Sequence, residues 1–126
     1  MTKKRIAIVD DETIVRLSTR ALLKSLREYE VEEFDSAETL LNSKSLDKLD
    51  CLIVDFRLRG LSGLQLLQEL QKRNASIPTI VVSGYLSETQ IKELVEAGAE
   101  ATMAKPLNTR QFLAELDRIT DSLSTE

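Results

Sequence analysis

Acidic side chains follow two apolar runs of this sequence, at positions where buried strands would end. Asp10 and Asp11 come directly after the run 6–9, and Asp55 comes after the run 52–54. A carboxylate near a hydrophobic core loses solvation, and a neighbouring like charge adds to that cost. Acids at such positions are typical of a site that binds a divalent cation and handles a phosphoryl group.

Two further residues could complete this chemistry. Lys105 can neutralise a carboxylate or hold a phosphoryl oxygen, and Ser83 can donate a hydrogen bond to the same oxygen. Carboxylate oxygens are the ligands that Mg²⁺ prefers. A metal, a cation, a donor and an in-line nucleophile are the parts that phosphoryl transfer needs. Asp55 is the best candidate nucleophile, because it follows the predicted central strand.

Composition narrows the function classes. The chain has 126 residues, which fits one domain, and 17 basic against 21 acidic residues give a net charge of −4. This charge favours neither nucleic acid nor an anionic membrane. No apolar run approaches the roughly 20 residues of a membrane span, and the run after the basic N-terminus is too short for a signal peptide. A cytoplasmic location is therefore expected.

The sequence contains no histidine and one cysteine. Catalytic triads, Cys-His nucleophiles, histidine zinc ligands and histidine phosphocarriers are thereby excluded on this chain. Cys51 alone cannot form an intramolecular disulfide framework, and we interpret it as a small buried apolar residue. A phosphorylated group on this chain would most simply be a carboxylate.

Short apolar runs alternate with amphipathic stretches of helical length. Strands are predicted at 5–9, 31–34, 51–54, 80–82 and 101–104, and helices at 13–26, from 37, at 63–73, from 88 and from 109. Ser36, Ser87 and Asn108 are predicted N-caps, with Ser87 and Gln90 forming a capping box, and Gly98 is predicted to close the fourth helix.

Strict alternation of strands and helices favours an α/β fold, in which a parallel sheet is covered by helices on both faces. Right-handed crossovers then give an open, doubly wound sheet whose ligands bind at the carboxyl ends of the strands. The polar residues named above fall at those ends. We expect one domain over residues 1–121, followed by a polar tail or the start of a linker at 122–126.

Apolar positions at helical spacing predict the faces that pack on the sheet. For the first helix these are Val15, Leu22 and Leu26. The fourth helix carries Ile91, Leu94 and Val95, and the last helix carries Phe112, Leu116, Ile119 and Leu123.

Four short motifs together resemble the receiver domain of a two-component response regulator. They are the pair Asp10-Asp11, the segment 55–63, the pair Ser83-Gly84, and the segment from Gly98 to Lys105-Pro106. Each motif alone is weakly specific. Their order and spacing match the family over essentially the whole chain.

The resemblance implies a flavodoxin-like five-stranded sheet of order 2-1-3-4-5 with five helices. It implies that Asp55 accepts a phosphoryl group from a phosphohistidine of a sensor kinase or phosphotransfer protein. Mg²⁺ would be held by Asp11, Asp55 and the backbone carbonyl of Arg57, with Asp10 acting through water. The Lys105–Pro106 bond is expected to be cis.

The family also implies how a signal would leave the domain. Ser83 would move toward the phosphoryl group, and the face made by the fourth helix, fifth strand and fifth helix would shift to control an effector domain or target protein. We expect self-catalysed phosphoryl transfer and autodephosphorylation, but no turnover of an external substrate. A homodimer is possible, whereas direct nucleic acid binding and membrane binding are not expected.

Two departures from the family pattern affect these expectations. Thr102 stands where relatives usually carry Tyr or Phe, so signalling is hypothesised to use another route through Tyr85, which Tyr85→Ala would abolish. Arg59 stands where relatives often have proline, which makes its loop more basic. Arg57 and Tyr85 are both large and flank the pocket, and their double substitution by alanine is expected to speed loss of phosphate.

Each site residue also has an ordinary explanation when considered alone. Asp10 and Asp11 could cap the first helix, Ser83 could be a turn residue, and Lys105 could be a solvated lysine. An enzyme alternative is an aspartyl-phosphate phosphohydrolase of haloacid dehalogenase type, which needs Asp-x-Asp where this chain has Asp10-Asp11-Glu12. A flavodoxin-like cofactor binder would suffer phosphate repulsion there, and the intact acids argue against a degenerate receiver.

Overall fold

The computed structural model describes residues 3–124, and describes side chains as far as residue 121. Its elements in chain order are β1 (Arg5–Val9), α1 (Thr13–Leu26), β2 (Glu30–Phe34), α2 (Ala37–Leu41), a 3₁₀ helix (Leu46–Lys48), β3 (Cys51–Asp55), α3 (Gly63–Lys72), β4 (Thr79–Ser83), α4 (Glu88–Glu96), β5 (Ala101–Ala104) and α5 (Thr109–Ser124). Within residues 3–124 the predicted alternation of strands and helices is confirmed. The short 3₁₀ helix was not predicted.

All five strands are parallel, and their order in the sheet is β2-β1-β3-β4-β5. The central strand β3 and its neighbour β4 are buried along their whole length. Strands covered on both faces are typically continuous apolar runs, as these are. The order 2-1-3-4-5 confirms the flavodoxin-like prediction and makes β1 and β3 neighbours.

Two layers of core cover the sheet. On one face α1 and α5 pack through Leu23, Phe112 and Leu116. On the other face α2 and α3 pack through Leu40 and Leu66, with Leu94 of α4 close by. Burying a Leu or Phe side chain contributes about 1.5–3 kcal/mol each, so these layers hold the strand ends in fixed relative positions.

Side-chain caps begin several helices where the sequence indicated. Ser36 accepts from the Thr39 N–H, Asn108 accepts from the Gln111 N–H, and Ser87 forms the predicted capping box with Gln90. Gly98, with φ of +99°, closes α4 as predicted. Ser62 and Gln65 form a second capping box at α3, which was not predicted.

Some predicted core positions were wrong. Leu26 is 47% exposed, and the first helix instead buries Leu23. A helix rotates by about 100° per residue, so a small error in phase moves a residue off the packed face. In α4, Leu94 is buried as predicted, but Ile91 and Val95 are 37% and 59% exposed.

The chain end falls partly within a helix. α5 continues to Ser124, so residues 122–124 of the predicted polar tail lie in the helix. Residues 125 and 126 lie outside the described part of the chain, as does the side chain of Leu123. Among the described residues, none of the helices has the length and apolarity that crossing a bilayer requires.

Candidate functional site

The polar residues predicted from sequence meet at the carboxyl edge of the sheet. Asp55 and Ser83 are the last residues of β3 and β4, while Asp10 follows β1 and Lys105 follows β5. The strand register places Asp55 opposite Val82, and the Ser83 carbonyl accepts from the Lys105 N–H at 2.8 Å. Parallel pairing therefore brings four separate segments of sequence to one edge.

Lys105 lies between two carboxylates. Its Nζ atom is 3.3 Å from Oδ2 of Asp55 and 3.7 Å from Oδ2 of Asp10. Both acids are buried, so solvent screens their attraction to the ammonium less than it would at the surface. One ammonium group thus partly neutralises two buried carboxylates and can reach an added phosphoryl oxygen.

The acids also form a set that fits a divalent cation. Asp10, Asp11, Glu12 and Asp55 each offer a carboxylate oxygen, and these four atoms lie within 4.8 Å of one another. Mg²⁺ favours oxygen ligands and usually takes one or two carboxylates with several waters. Sequence reasoning did not propose Glu12, although its position next to the aspartate pair was a usable signal.

The electrostatics of Asp10 support the same interpretation. Burial raises the pKa of the Asp10 carboxyl, and the nearby charge of Asp55 raises it further. The Glu12 N–H, which donates to Asp10 Oδ1 at 2.8 Å, and the charge of Lys105 oppose that rise in pKa without cancelling it. Ionised Asp10 is therefore less favourable here than in water, and a bound cation would stabilise it.

The loop that carries Asp10 and Asp11 is held by its backbone. The Asp10 N–H donates to the Phe34 carbonyl at 3.1 Å, and the Asp10 carbonyl accepts from Arg16 Nη1 at 2.7 Å. Arg16 in turn pairs with Glu33 of β2, with an Nε–Oε1 distance of 3.5 Å. Arg16 was not predicted as a site residue, and its only sequence signal was a basic residue one turn into α1.

The loop after β3 is tied to two other elements. The Arg59 N–H donates to Asp11 Oδ2 at 3.0 Å, and the Leu61 N–H donates to Glu38 Oε2 at 3.2 Å. The Arg57 N–H donates to Asp55 Oδ1 at 3.2 Å. This bond orients the predicted nucleophile, while the role of the Arg57 carbonyl as a metal ligand stays a prediction.

The surroundings of Ser83 differ from a fully packed core. Ser83 is buried, and its hydroxyl donates to the Tyr85 carbonyl at 3.1 Å. A cavity of about 220 Å³ opens beside it. The lining residues are Ser83, Leu86, Ile91, Thr102, Met103 and Ala104. Tyr85 is 70% exposed, so its ring lies outside that cavity in this conformation.

Two smaller expectations are confirmed. The Lys105–Pro106 peptide bond is cis. Cys51 is fully buried, and burial raises the pKa of its thiol to about 12, so it is an inert core residue.

Comparison with known proteins agrees with this fold. The family model for the response regulator receiver domain matches residues 6–117. The chain therefore belongs to the response regulator receiver domain family, as the sequence motifs predicted.

Sequence relatives include nodulation protein W of Bradyrhizobium diazoefficiens, which is 34% identical over 112 residues, or 89% of this chain and 49% of that protein. The transcriptional regulatory protein FixJ of Rhizobium meliloti is 30% identical over 123 residues, covering 98% of this chain and 60% of that protein. This chain spans about half the length of the first of these relatives.

Solved structures of similar shape include a CheY-like response regulator receiver domain protein from Methanospirillum hungatei, with a TM-score of 0.83 and 28% identity. That match covers 99% of this chain and 100% of the other. The structure titled FixJ-N has a TM-score of 0.82 and 28% identity, and covers 96% of each chain.

Proposed function

We propose that this receiver domain takes a phosphoryl group onto Asp55 in a Mg²⁺-dependent reaction. The supporting observation is the position of Asp55: it ends the central strand, lies 3.3 Å from the Lys105 ammonium, and belongs to the four-carboxylate cluster. One relative described above, FixJ of Rhizobium meliloti, is named a transcriptional regulatory protein. The donor histidine would lie outside this sequence, because these 126 residues contain none.

In the proposed reaction, an oxygen of the Asp55 carboxylate forms a bond to the phosphorus of a phosphohistidine. The N–P bond breaks, its electron pair stays on the donor imidazole, and that ring takes up a proton. Lys105 holds a developing phosphoryl charge as a nearby cation. In autodephosphorylation, a water oxygen forms a bond to phosphorus and the P–O bond to Asp55 breaks. The electron pair of that bond returns to the Asp55 carboxylate, inorganic phosphate leaves, and the proton released from the water passes to solvent.

Asp11, Asp55 and the Arg57 carbonyl would hold the metal directly, with Asp10 acting through water. Glu12 adds a fifth group within reach of the same cluster. When bound, Mg²⁺ supplies charge neutralisation for the phosphoryl oxygens. The raised pKa of Asp10 supports this proposal, because burial first and the charge of Asp55 second make the ionised carboxyl unfavourable, and a bound cation would stabilise it.

The proposed output starts at Ser83. Its hydroxyl has one proton, which it now gives to the Tyr85 carbonyl, so donating to a phosphoryl oxygen would release the 84–87 loop. The face of α4, β5 and α5 that follows this loop carries exposed Ile91 and Val95. We propose that an effector domain, a target protein or a second copy of the chain binds to this face. Cytoplasmic location remains a prediction.

Intact mass measurement tests the proposal. Incubation with Mg²⁺ and acetyl phosphate should add one phosphoryl mass to the wild type and none to Asp55→Asn. Asp47→Asn is the matched control, because Asp47 is an exposed aspartate of the 3₁₀ helix and should still gain the phosphoryl group. Adduct on Asp55→Asn would contradict the assignment of the acceptor.

The same incubation separates the alternatives. Steady phosphate release without an adduct would favour the phosphohydrolase, although the Asp10-Asp11-Glu12 segment lacks the Asp-x-Asp pattern of that class. Neither adduct nor release would favour a receiver that acts without phosphorylation.

A further inference from the structure

Arg59 contacts the acidic cluster in two ways. Its backbone N–H donates to Asp11 Oδ2 at 3.0 Å, and its side-chain Nε lies 3.9 Å from the same oxygen. The Arg59 side chain is 93% exposed, whereas that of Asp11 is 18% exposed. None of the steps proposed above uses this arginine.

Within residues 3–121, Asp11 has no hydrogen-bond or ion-pair partner other than Arg59. The proposed function makes Asp11 a direct ligand of the metal. A guanidinium and a divalent cation are both drawn to this carboxylate, and they repel each other. The contact of Arg59 with Asp11 therefore opposes binding of the metal to the same carboxylate.

The loop geometry keeps Arg59 near Asp11 although its side chain is in solvent. Leu61, two residues along the same loop, donates its N–H to Glu38 of α2 at 3.2 Å. Gly60, between them, has φ of +76°, and a Cβ there would meet the Glu38 carboxylate. Backbone anchors on either side of this glycine limit how far residue 59 can move from Asp11.

We propose that Arg59 is a positioning residue that competes with Mg²⁺ for Asp11 and so weakens metal binding by the unphosphorylated protein. This inference rests on the proposed function. The interaction is solvent-exposed, so its expected size is about fivefold in the Mg²⁺ dissociation constant, or about 1 kcal/mol. Salt should reduce the effect, because the Debye length falls from about 8 Å at 0.15 M to about 3 Å at 1 M ionic strength.

Isothermal titration calorimetry with MgCl₂ tests this on the whole chain. Arg59→Ala should bind Mg²⁺ about fivefold more tightly than wild type at low salt, and the difference should shrink to less than about twofold near 1 M ionic strength. Arg59→Lys keeps a positive charge and should stay close to wild type.

Arg118→Ala is the matched control. It removes the same charge from a side chain that is 53% exposed and pairs with Glu100 and Glu115, none of which belongs to the cluster. Its Mg²⁺ affinity should equal that of wild type.

Two results would overturn the inference: equal affinities of Arg59→Ala and Arg118→Ala, or weaker binding by Arg59→Ala. The latter would mean that Arg59 supports the metal site instead of competing for it. Failure of the proposed function has a different signature, since wild type and Arg59→Ala would then both lack a phosphoryl adduct on Asp55. Adduct formation in both proteins with unchanged Mg²⁺ affinity would reject the role of Arg59 alone.

Discussion

Acidic side chains at the two ends of the sheet differ in how they are paired with basic side chains. At the carboxyl edge, Lys105 serves two buried acids, Asp10 and Asp55. Toward the other end, Arg27 after α1 meets Asp117 of α5 through two hydrogen bonds, Nε–Oδ1 at 2.8 Å and Nη2–Oδ2 at 2.6 Å. The carboxyl edge has two buried acids for one lysine, whereas the Arg27–Asp117 pair matches one acid with one base.

The pKa values of the two aspartates follow this contrast. Burial raises the pKa of Asp10, whereas the hydrogen bond from Arg27 lowers the pKa of Asp117. An acid with a raised folded-state pKa costs stability once it ionises, and an acid with a lowered one contributes stability while ionised. The end that carries the proposed chemistry is thus the end that gives up stability, as is common at functional sites.

The largest expected effect is that of Lys105→Ala. Removing the ammonium that lies 3.3 Å from Asp55 takes away the cation that the proposed transfer uses, and should slow phosphoryl uptake by about 100-fold or more. The rate of adduct formation from acetyl phosphate, followed by mass, measures this. Lys48→Ala, an exposed lysine of the 3₁₀ helix, is the control. A rate within severalfold of wild type would show that the lysine is not part of the transfer.

A second, smaller effect is expected for Asp10→Asn. The neutral amide keeps the shape but removes a buried charge beside Asp55, so the metal-free protein should gain about 1 kcal/mol of unfolding free energy. The wild type should lose stability as pH rises above 3.8 through the raised pKa of Asp10, and the variant should lack that loss. Urea unfolding in EDTA at several pH values measures both.

The same variant should bind Mg²⁺ more weakly than wild type. If Asp10→Asn were less stable than wild type without metal, ionised Asp10 would not cost stability. The proposed difference between the two ends of the sheet would then be wrong.

The smallest expected effect is that of Asp117→Asn. Arg27 and Asp117 are each more than one third exposed, so screening by solvent limits the loss to about 0.5 kcal/mol at neutral pH. Because the folded-state pKa of Asp117 is lowered, its contribution is present above pH 3.8 and is lost as pH falls through that lowered pKa. Urea unfolding across this range should show the loss in wild type only.

Mg²⁺ affinity and phosphoryl uptake of Asp117→Asn should match wild type. A change in either quantity would mean that the Arg27–Asp117 pair affects the site at the opposite edge of the sheet. The two ends would then be energetically coupled.

Much of the fold was predictable because the local signals agreed with one another. The bounds of β1, α1 and β5 match the predicted residues, and the caps at Ser36, Ser87 and Asn108 are observed. Apolar periodicity and capping chemistry act over a few residues, so they can be read without knowing the packing. Exposure of Leu26 was not predictable in this way, because it depends on how α1 is rotated against the sheet.

The sequence predicted which residues form the site, but not all of the hydrogen bonds and ion pairs that they make. Asp10, Asp55, Ser83 and Lys105 were expected at strand ends, and parallel pairing brings those ends together. Arg16 was missed because its contact with the Asp10 carbonyl depends on where the first turn of α1 lies over the loop. Hydrogen bonds between distant segments have no local signature in the sequence.

The sequence by itself determined the receiver family, the order of elements and the acids that can serve a phosphoryl site, because these follow from residue type, spacing and periodicity. Only the tertiary structure decided which groups share each charge: Lys105 with Asp10 and Asp55, and Arg59 with Asp11. The physical reason is distance. Electrostatic interactions depend on separations of a few ångströms between residues that lie far apart along the chain, and folding alone sets those separations.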